Sequence, residues 1–138
     1  MKSRLALVIA TLWWGALTTL GFWVVPMLFA HLPAPALAGG MAARLFSAQT
    51  WVSMGCGLLL WVIFRSKWHE PSVARSYVAI GLVSFSMLAA LLVEFGVAPR
   101  ILARENLRFW HGAGSALYGL QWLAGGALVV WLMRDPDA

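Results

Sequence analysis

The chain has 138 residues, of which 62% are hydrophobic and only 11% are charged, and its mean hydropathy is +0.80. A soluble domain carries about 25% charged residues, and a small one has too little interior to hide this much apolar surface. The net charge of +5 is spread in ones and twos at the ends of apolar runs, which argues against nucleic acid as a partner. The composition therefore predicts a single-domain integral membrane protein.

Four apolar segments are each long enough to cross a bilayer, which takes about 20 residues. They cover roughly residues 5–30, 41–64, 77–98 and 107–133. Backbone in lipid must be helical or part of a closed barrel, and continuous apolar runs of this length are helical. Because the connections are short, consecutive helices should lie antiparallel. We therefore predict an all-α, antiparallel four-helix transmembrane bundle over residues 1–138.

The amino terminus resembles a secretory signal peptide. Lys2 and Arg4 precede an apolar run, and Ala36-Leu37-Ala38 after it resembles a cleavage site. The apolar run is about twice the length of the hydrophobic region of an ordinary signal peptide. We expect a retained first membrane helix.

Orientation in the membrane follows from the distribution of Lys and Arg, which are enriched on the cytoplasmic side. The side that holds both termini carries Lys2, Arg4, Arg65, Lys67, Arg75 and Arg134. The other side carries Arg44, Arg100, Arg104 and Arg108. This excess predicts that both termini lie in the cytoplasm.

Glu94 is the first candidate for a functional residue, because an ionisable group inside a membrane segment is costly. Arg44 enters the second helix from the same predicted outer side. An ion pair between Arg44 and Glu94 would tie two helices together. The alternatives are a carboxylate that handles protons or binds substrate, and a side chain that extends to the headgroups.

Two histidines lie at the predicted outer side, His31 at the end of the first helix and His111 at the start of the fourth. Two imidazoles at one level of a bundle could ligate haem b or copper. Met27, one turn before His31, would add a soft ligand that favours Cu(I). The simpler interpretation is that both histidines only form hydrogen bonds at the interface.

Arg100, Arg104 and Arg108 recur at four-residue spacing, so a short helix would present them as one cationic stripe. Contact with anionic lipid headgroups is the expected role, and a funnel for an anionic ligand is the alternative. Glu94, Arg44, His111 and Arg108 could together line a ligand-binding pocket at this end of the bundle.

Small and polar residues indicate where the helices should meet, since close backbone approach and hydrogen bonds drive packing in lipid. Gly112, Ala116 and Gly119 share one face of the fourth helix, and Ser53 and Gly57 share one face of the second. Both faces should contact neighbours. The polar residues expected to form hydrogen bonds between helices, or back to the preceding turn, are Thr18, Thr19, Gln49, Ser84, Ser86 and Gln121.

Several short motifs resemble, in the same order, those of the transmembrane protein 205-like family and its small bacterial relatives. They are Gly15 with Phe22, Pro26-Met27-Leu28-Phe29, Gly39 or Gly40 followed by Arg44-Leu45-Phe46, Pro99, and Arg108-Phe109-Trp110-His111-Gly112 with Ser115. The resemblance implies a four-helix protein of the bacterial inner membrane without an established activity. Eukaryotic members are associated with resistance to platinum drugs, which suggests handling of small molecules or metals.

A weaker resemblance is to HemJ-type protoporphyrinogen oxidases and CopD-like copper-resistance domains. These also carry a proline-leucine-phenylalanine run followed by a histidine in the first helix. Here His31 follows Pro26 by five residues, where the HemJ-type pattern has six and this chain has Leu32. The helix-embedded lysine of that pattern is absent.

The leading functional hypothesis is a non-enzymatic protein that binds, senses or helps to move a small molecule or metal through an outer polar pocket. A haem-binding membrane oxidoreductase that uses His31 and His111 is the first alternative. An accessory subunit of a larger membrane complex, which docks through Gly112, Ala116 and Gly119, is the second. Membrane lipids are expected partners, and a homo-oligomer is compatible with the sequence.

Overall fold

A computed structural model describes residues 2–65 and 73–134 as four long helical spans. Span 1 combines α1 (Lys2–Thr19), a π-helical turn (Leu20–Val24) and α2 (Val25–His31), and span 2 is α3 (Pro35–Arg65). Span 3 combines α4 (Val73–Leu91), a second π-helical turn (Leu92–Val97) and α5 (Ala98–Leu102), and span 4 is α6 (Leu107–Arg134). Each span contains a helix long and apolar enough to cross a membrane. The predicted all-α membrane bundle is confirmed.

The spans form a ring in which each one packs against two neighbours. Span 1 contacts spans 2 and 4, and span 3 contacts the same two. The connections at 32–34 and 103–106 lie at one end of the bundle, which we call the short-loop end. Lys67, counted above among the charges that set orientation, lies outside the described residues.

Two helix boundaries near the short-loop end differ from the sequence prediction. Span 2 begins at Pro35, not near Met41, because proline suits the first helical turn, where its missing N–H would have no partner. Span 3 continues through Pro99 to Leu102. Pro99 therefore does not end the helix, since it lies in the first turn of α5.

The two π-helical turns have the same place in their spans. Each is followed at once by a short α-helix with proline in its first turn, Pro26 in α2 and Pro99 in α5. A π turn and a proline both interrupt the regular hydrogen bonding of a helix and are recognised causes of bends. Spans 1 and 3 therefore each change helical register before they reach the short-loop end.

The apolar core lies towards the opposite end of the bundle and contains residues from all four spans. Its largest fully buried apolar side chains are those of Trp13, Leu17, Leu60, Phe64, Val83 and Leu128. Glycine permits close approach at several helix contacts. A Cβ on Gly21 would lie 2.4 Å from Cε1 of Tyr118, and a Cβ on Gly57 would lie 2.5 Å from Sδ of Met87.

Candidate functional site

A buried hydrogen-bond network joins all four spans near their middle. The Ser53 hydroxyl oxygen accepts the indole N–H of Trp13 at 2.9 Å and the amide of Gln121 at 3.0 Å. The Ser86 hydroxyl donates a longer bond, 3.5 Å, to the backbone carbonyl of Gln121. Ser53, Ser86 and Gln121 are all buried. Since partners that satisfy buried polar groups fix helix positions, this network sets the register of the bundle.

One turn from Ser53 on the same span, Gln49 is 9% exposed and its Nε2 atom has no hydrogen-bond partner. The neighbouring Thr50 hydroxyl donates to the carbonyl of Phe46 at 3.1 Å. An unpartnered buried amide costs about 1–3 kcal/mol. Gln49 is thus a polar group that destabilises the bundle in this form.

Aromatic side chains tie span 1 to span 4 on the short-loop side of the network. The Tyr118 hydroxyl donates to the Leu17 carbonyl at 2.7 Å. The indole of Trp14 stacks on that of Trp122, with ring centroids 5.7 Å apart, and donates to the Trp122 carbonyl. The Trp122 indole in turn donates to the Thr18 hydroxyl at 2.9 Å. These contacts serve packing, and they hold span 4 in place beside the first π turn.

Glu94 lies in the second π turn and is half-buried. The Ser47 hydroxyl, on span 2, donates to Oε1 of Glu94 at 2.7 Å. Span 2 and the π turn of span 3 thus hold the carboxyl group in one position.

The expected ion pair between Arg44 and Glu94 is not formed. Arg44 is exposed, one turn before Ser47, and the hydrogen bonds described for Glu94 lead to Ser47 alone. Arg108 and His111 are also exposed, and no described hydrogen bond or ion pair joins either of them to Glu94. The four residues predicted to line one pocket therefore share an end of the bundle, but no described hydrogen bond or ion pair joins them.

His31 and Met27 are engaged locally at the end of span 1. Nδ1 of His31 lies 3.0 Å from the Met27 carbonyl oxygen, and the Trp23 indole donates to Sδ of Met27 at 3.0 Å. The Nδ1 contact leaves Nε2 as the ring nitrogen free for a ligand. Among the described residues, no group of three or more His, Cys, Asp or Glu side chains could hold a metal ion. Metal binding by His31, His111 and Met27 stays a prediction.

The predicted arginine stripe is divided by a tight turn between spans 3 and 4. Arg100 lies in α5, where its guanidinium packs over the Trp110 ring, 4.5 Å from the centroid, and donates to the Gly96 carbonyl at 2.5 Å. Arg104 has a positive φ of 57°, so the chain reverses direction here. Arg108 is the second residue of span 4. The three side chains therefore do not form one face of a single helix.

A groove opens on the outer surface of span 4 beside this turn. It is shallow and open, has a volume of about 540 Å³, and is lined by Asn106, Arg108, Phe109, Gly112, Ala113 and Ala116. Gly112 and Ala116 are exposed, so the prediction that they pack against another span of the bundle is wrong. The residues that do allow close approach along span 4 are Gly114, which faces Val97, and the pair Gly125 and Gly126, which face Trp14.

The side chain that the sequence did not reveal is Ser47. A serine three residues after Arg44 carries no distinctive signal, and its partner Glu94 lies 47 positions away. The π turn that carries Glu94 shifts the helical register, so a period of 3.6 residues does not give the direction of the carboxylate. The sequence pattern also does not predict that the Trp13 indole donates a hydrogen bond to Ser53.

The fold and these sites define an all-α membrane protein with four spans, a buried mid-span polar network and a half-buried carboxylate. The chain belongs to the family described as a domain of unknown function, DUF4149, whose model matches residues 8–109. The match covers most of span 1, spans 2 and 3, and the first residues of span 4. No curated protein and no solved structure matches the chain, so no named homologue supports the 205-like or HemJ-type resemblance.

Proposed function

We propose that this protein binds a small cationic molecule or a metal ion at the Glu94 carboxylate, near the short-loop end of the bundle. The observation that supports this is the position of Glu94 in a π turn, half-buried and hydrogen-bonded to Ser47, without an ion pair to any described residue. Intramembrane carboxylates mark substrate, ion or proton sites. Single π turns inside α-helices also occur frequently at functional sites.

The Ser47 hydroxyl orients the carboxylate and occupies only one of its acceptor sites. An ionised carboxylate has about four lone-pair positions, and Ser47 fills one at Oε1. Oε2 is left for a ligand that carries positive charge or N–H donors. The proposed ligand is therefore a cation, whereas the neighbouring arginines suggested an anion.

The orientation and cellular setting belong to the same proposal. The Lys and Arg distribution favours termini in the cytoplasm, which in a bacterial inner membrane would place the short-loop end on the outer side. Binding of haem through His31 and His111, and service as an accessory subunit, stay predictions. A visible absorption spectrum of protein purified with haem available separates the haem hypothesis from ligand binding at Glu94.

The test is a binding titration of detergent-purified protein with two probes, the lipophilic monocation tetraphenylphosphonium and Zn²⁺. We expect saturable binding of at least one probe to the unchanged protein and to Glu105→Gln, a control in an exposed turn. Glu94→Gln, which keeps the shape and an acceptor for Ser47, should abolish that binding. If neither probe binds saturably, or if E94Q binds as well as the unchanged chain, the proposal is wrong.

A further inference from the structure

The groove on span 4 combines an apolar floor with a polar, cationic end. Phe109, Gly112, Ala113 and Ala116 form the floor, and Asn106 and Arg108 form the end nearest the 103–106 turn. The groove is open along its length, so a ligand would lie along it and stay partly exposed to lipid. The groove faces outward, so in a membrane it opens sideways towards lipid.

The floor of the groove is shorter than one leaflet. It runs along the helix for seven residues, from Phe109 to Ala116, a distance of about 10 Å at 1.5 Å per residue. One leaflet is about half of the hydrocarbon core, which is about 30 Å thick. A single acyl chain that starts at the headgroup level would therefore lie along the whole floor.

The charge at the polar end favours an anionic headgroup. Arg108 is exposed and forms no ion pair with a described residue, and none of the six lining residues is acidic. Glu105 is exposed in the adjacent turn but does not line the groove. The side-chain oxygen of Asn106 accepts the backbone N–H of Phe109 at 3.4 Å, so its amide nitrogen is left as a donor. Guanidinium and amide donors together suit phosphate oxygens.

We infer that this groove binds one anionic phospholipid, with its phosphate at Arg108 and Asn106 and one acyl chain along the floor from Phe109 to Ala116. A lipid fits better than a helix from a second copy. In a symmetric dimer through this face, Arg108 of one copy would lie close to Arg108 of the other, and the two like charges would repel. The inference does not depend on the proposed ligand at Glu94, which lies on another span.

The test uses the full chain in nanodiscs made from equal parts phosphatidylglycerol and phosphatidylcholine, followed by native mass spectrometry of the lipids that stay bound. The unchanged protein should retain phosphatidylglycerol preferentially. Arg108→Gln should reduce that retention about fivefold, the equivalent of about 1 kcal/mol for one basic residue near a lipid surface. Arg134→Gln, which removes an exposed arginine at the other end of the same helix, should leave it unchanged.

A second pair of variants distinguishes binding in the groove from attraction of lipid to surface charge. Ala116→Phe fills the floor and keeps Arg108, so it should also lose the retained lipid. Leu123→Phe adds an aromatic ring at an exposed position further along the helix and should have no effect. Equal retention of the two lipids, equal effects of R108Q and R134Q, or full retention in A116F would overturn the inference. So would a crosslinked homodimer with span 4 paired to span 4.

Discussion

The Ser47 hydroxyl donates a 2.7 Å hydrogen bond to Glu94, and this bond joins span 2 to the π turn of span 3. It replaces the ion pair with Arg44 that the sequence suggested. A hydroxyl orients a carboxylate without neutralising it, whereas an arginine would do both. Glu94 therefore has no cationic partner among the described residues.

Removal of the Ser47 hydroxyl should loosen this contact without unfolding the protein. Interhelical hydrogen bonds in a membrane protein average about 0.6 kcal/mol with a maximum near 1.7, so we expect Ser47→Ala to cost about 1 kcal/mol. Unfolding in mixed detergent micelles measures the change. Ser84→Ala, at an exposed serine on span 3, is the control and should be neutral. An equal loss in both variants would mean that Ser47 has no special role.

Ser53 should be among the most sensitive polar positions, because its oxygen accepts two buried donors. Ser53→Ala leaves the Trp13 indole and the Gln121 amide without their acceptor. The expected loss of unfolding free energy is about 1–3 kcal/mol. Quenching of tryptophan fluorescence should also change, since Trp13 loses its partner. Unchanged stability would show that the mid-span network does not hold the spans together.

The two buried glutamines should respond in opposite directions to the same substitution. Gln49 carries an unpartnered Nε2 atom, whereas Nε2 of Gln121 is bonded to Ser53. Gln49→Met should therefore be neutral or stabilising, and Gln121→Met should cost about 1–3 kcal/mol. Thermal unfolding of both variants in one detergent makes the comparison. A large loss in Q49M would instead reveal a hidden partner for that amide.

Glycine positions on span 1 offer a matched pair for the packing against Tyr118. A Cβ on Gly21 would meet the rigid Tyr118 ring at 2.4 Å, while nothing lies within 4 Å of one on Gly15. Overpacking of this kind costs about 1–3 kcal/mol, which we expect for Gly21→Ala. Gly15→Ala should be neutral or stabilising by up to about 1 kcal/mol, because alanine favours helix. Similar stability of the two variants would contradict the close approach of spans 1 and 4.

The architecture could be predicted from the sequence because it rests on long apolar runs and short connections, as in the segments around Trp13 and Gln121. The polar residues Thr18, Ser86 and Gln121 were also expected to form hydrogen bonds, and they do. The exceptions are Thr19 and Ser84, which are exposed, and Gln49, whose buried Nε2 atom has no partner. Polarity alone does not say on which side of a helix such a residue lies.

The details near the short-loop end could not be predicted for a physical reason. Both π turns shift the helical register. The direction in which the Glu94 side chain points therefore depends on tertiary packing, and so does the continuation of span 3 through Pro99. The surroundings of Gly112 and Ala116 could not be predicted either, because small residues permit close contact without specifying which helix makes it. In the described structure both residues are exposed on the surface of span 4.

The most direct test of a ligand site at Glu94 is protection from a hydrophobic carbodiimide, which modifies carboxyl groups accessible from lipid. Mass spectrometry would follow modification of the peptide that contains Glu94, with and without saturating tetraphenylphosphonium or Zn²⁺, and with the exposed Glu105 as internal control. We expect one probe to slow the modification of Glu94 and to leave Glu105 unchanged. Modification of Glu94 at the same rate with either probe present would contradict a cation site at this carboxylate.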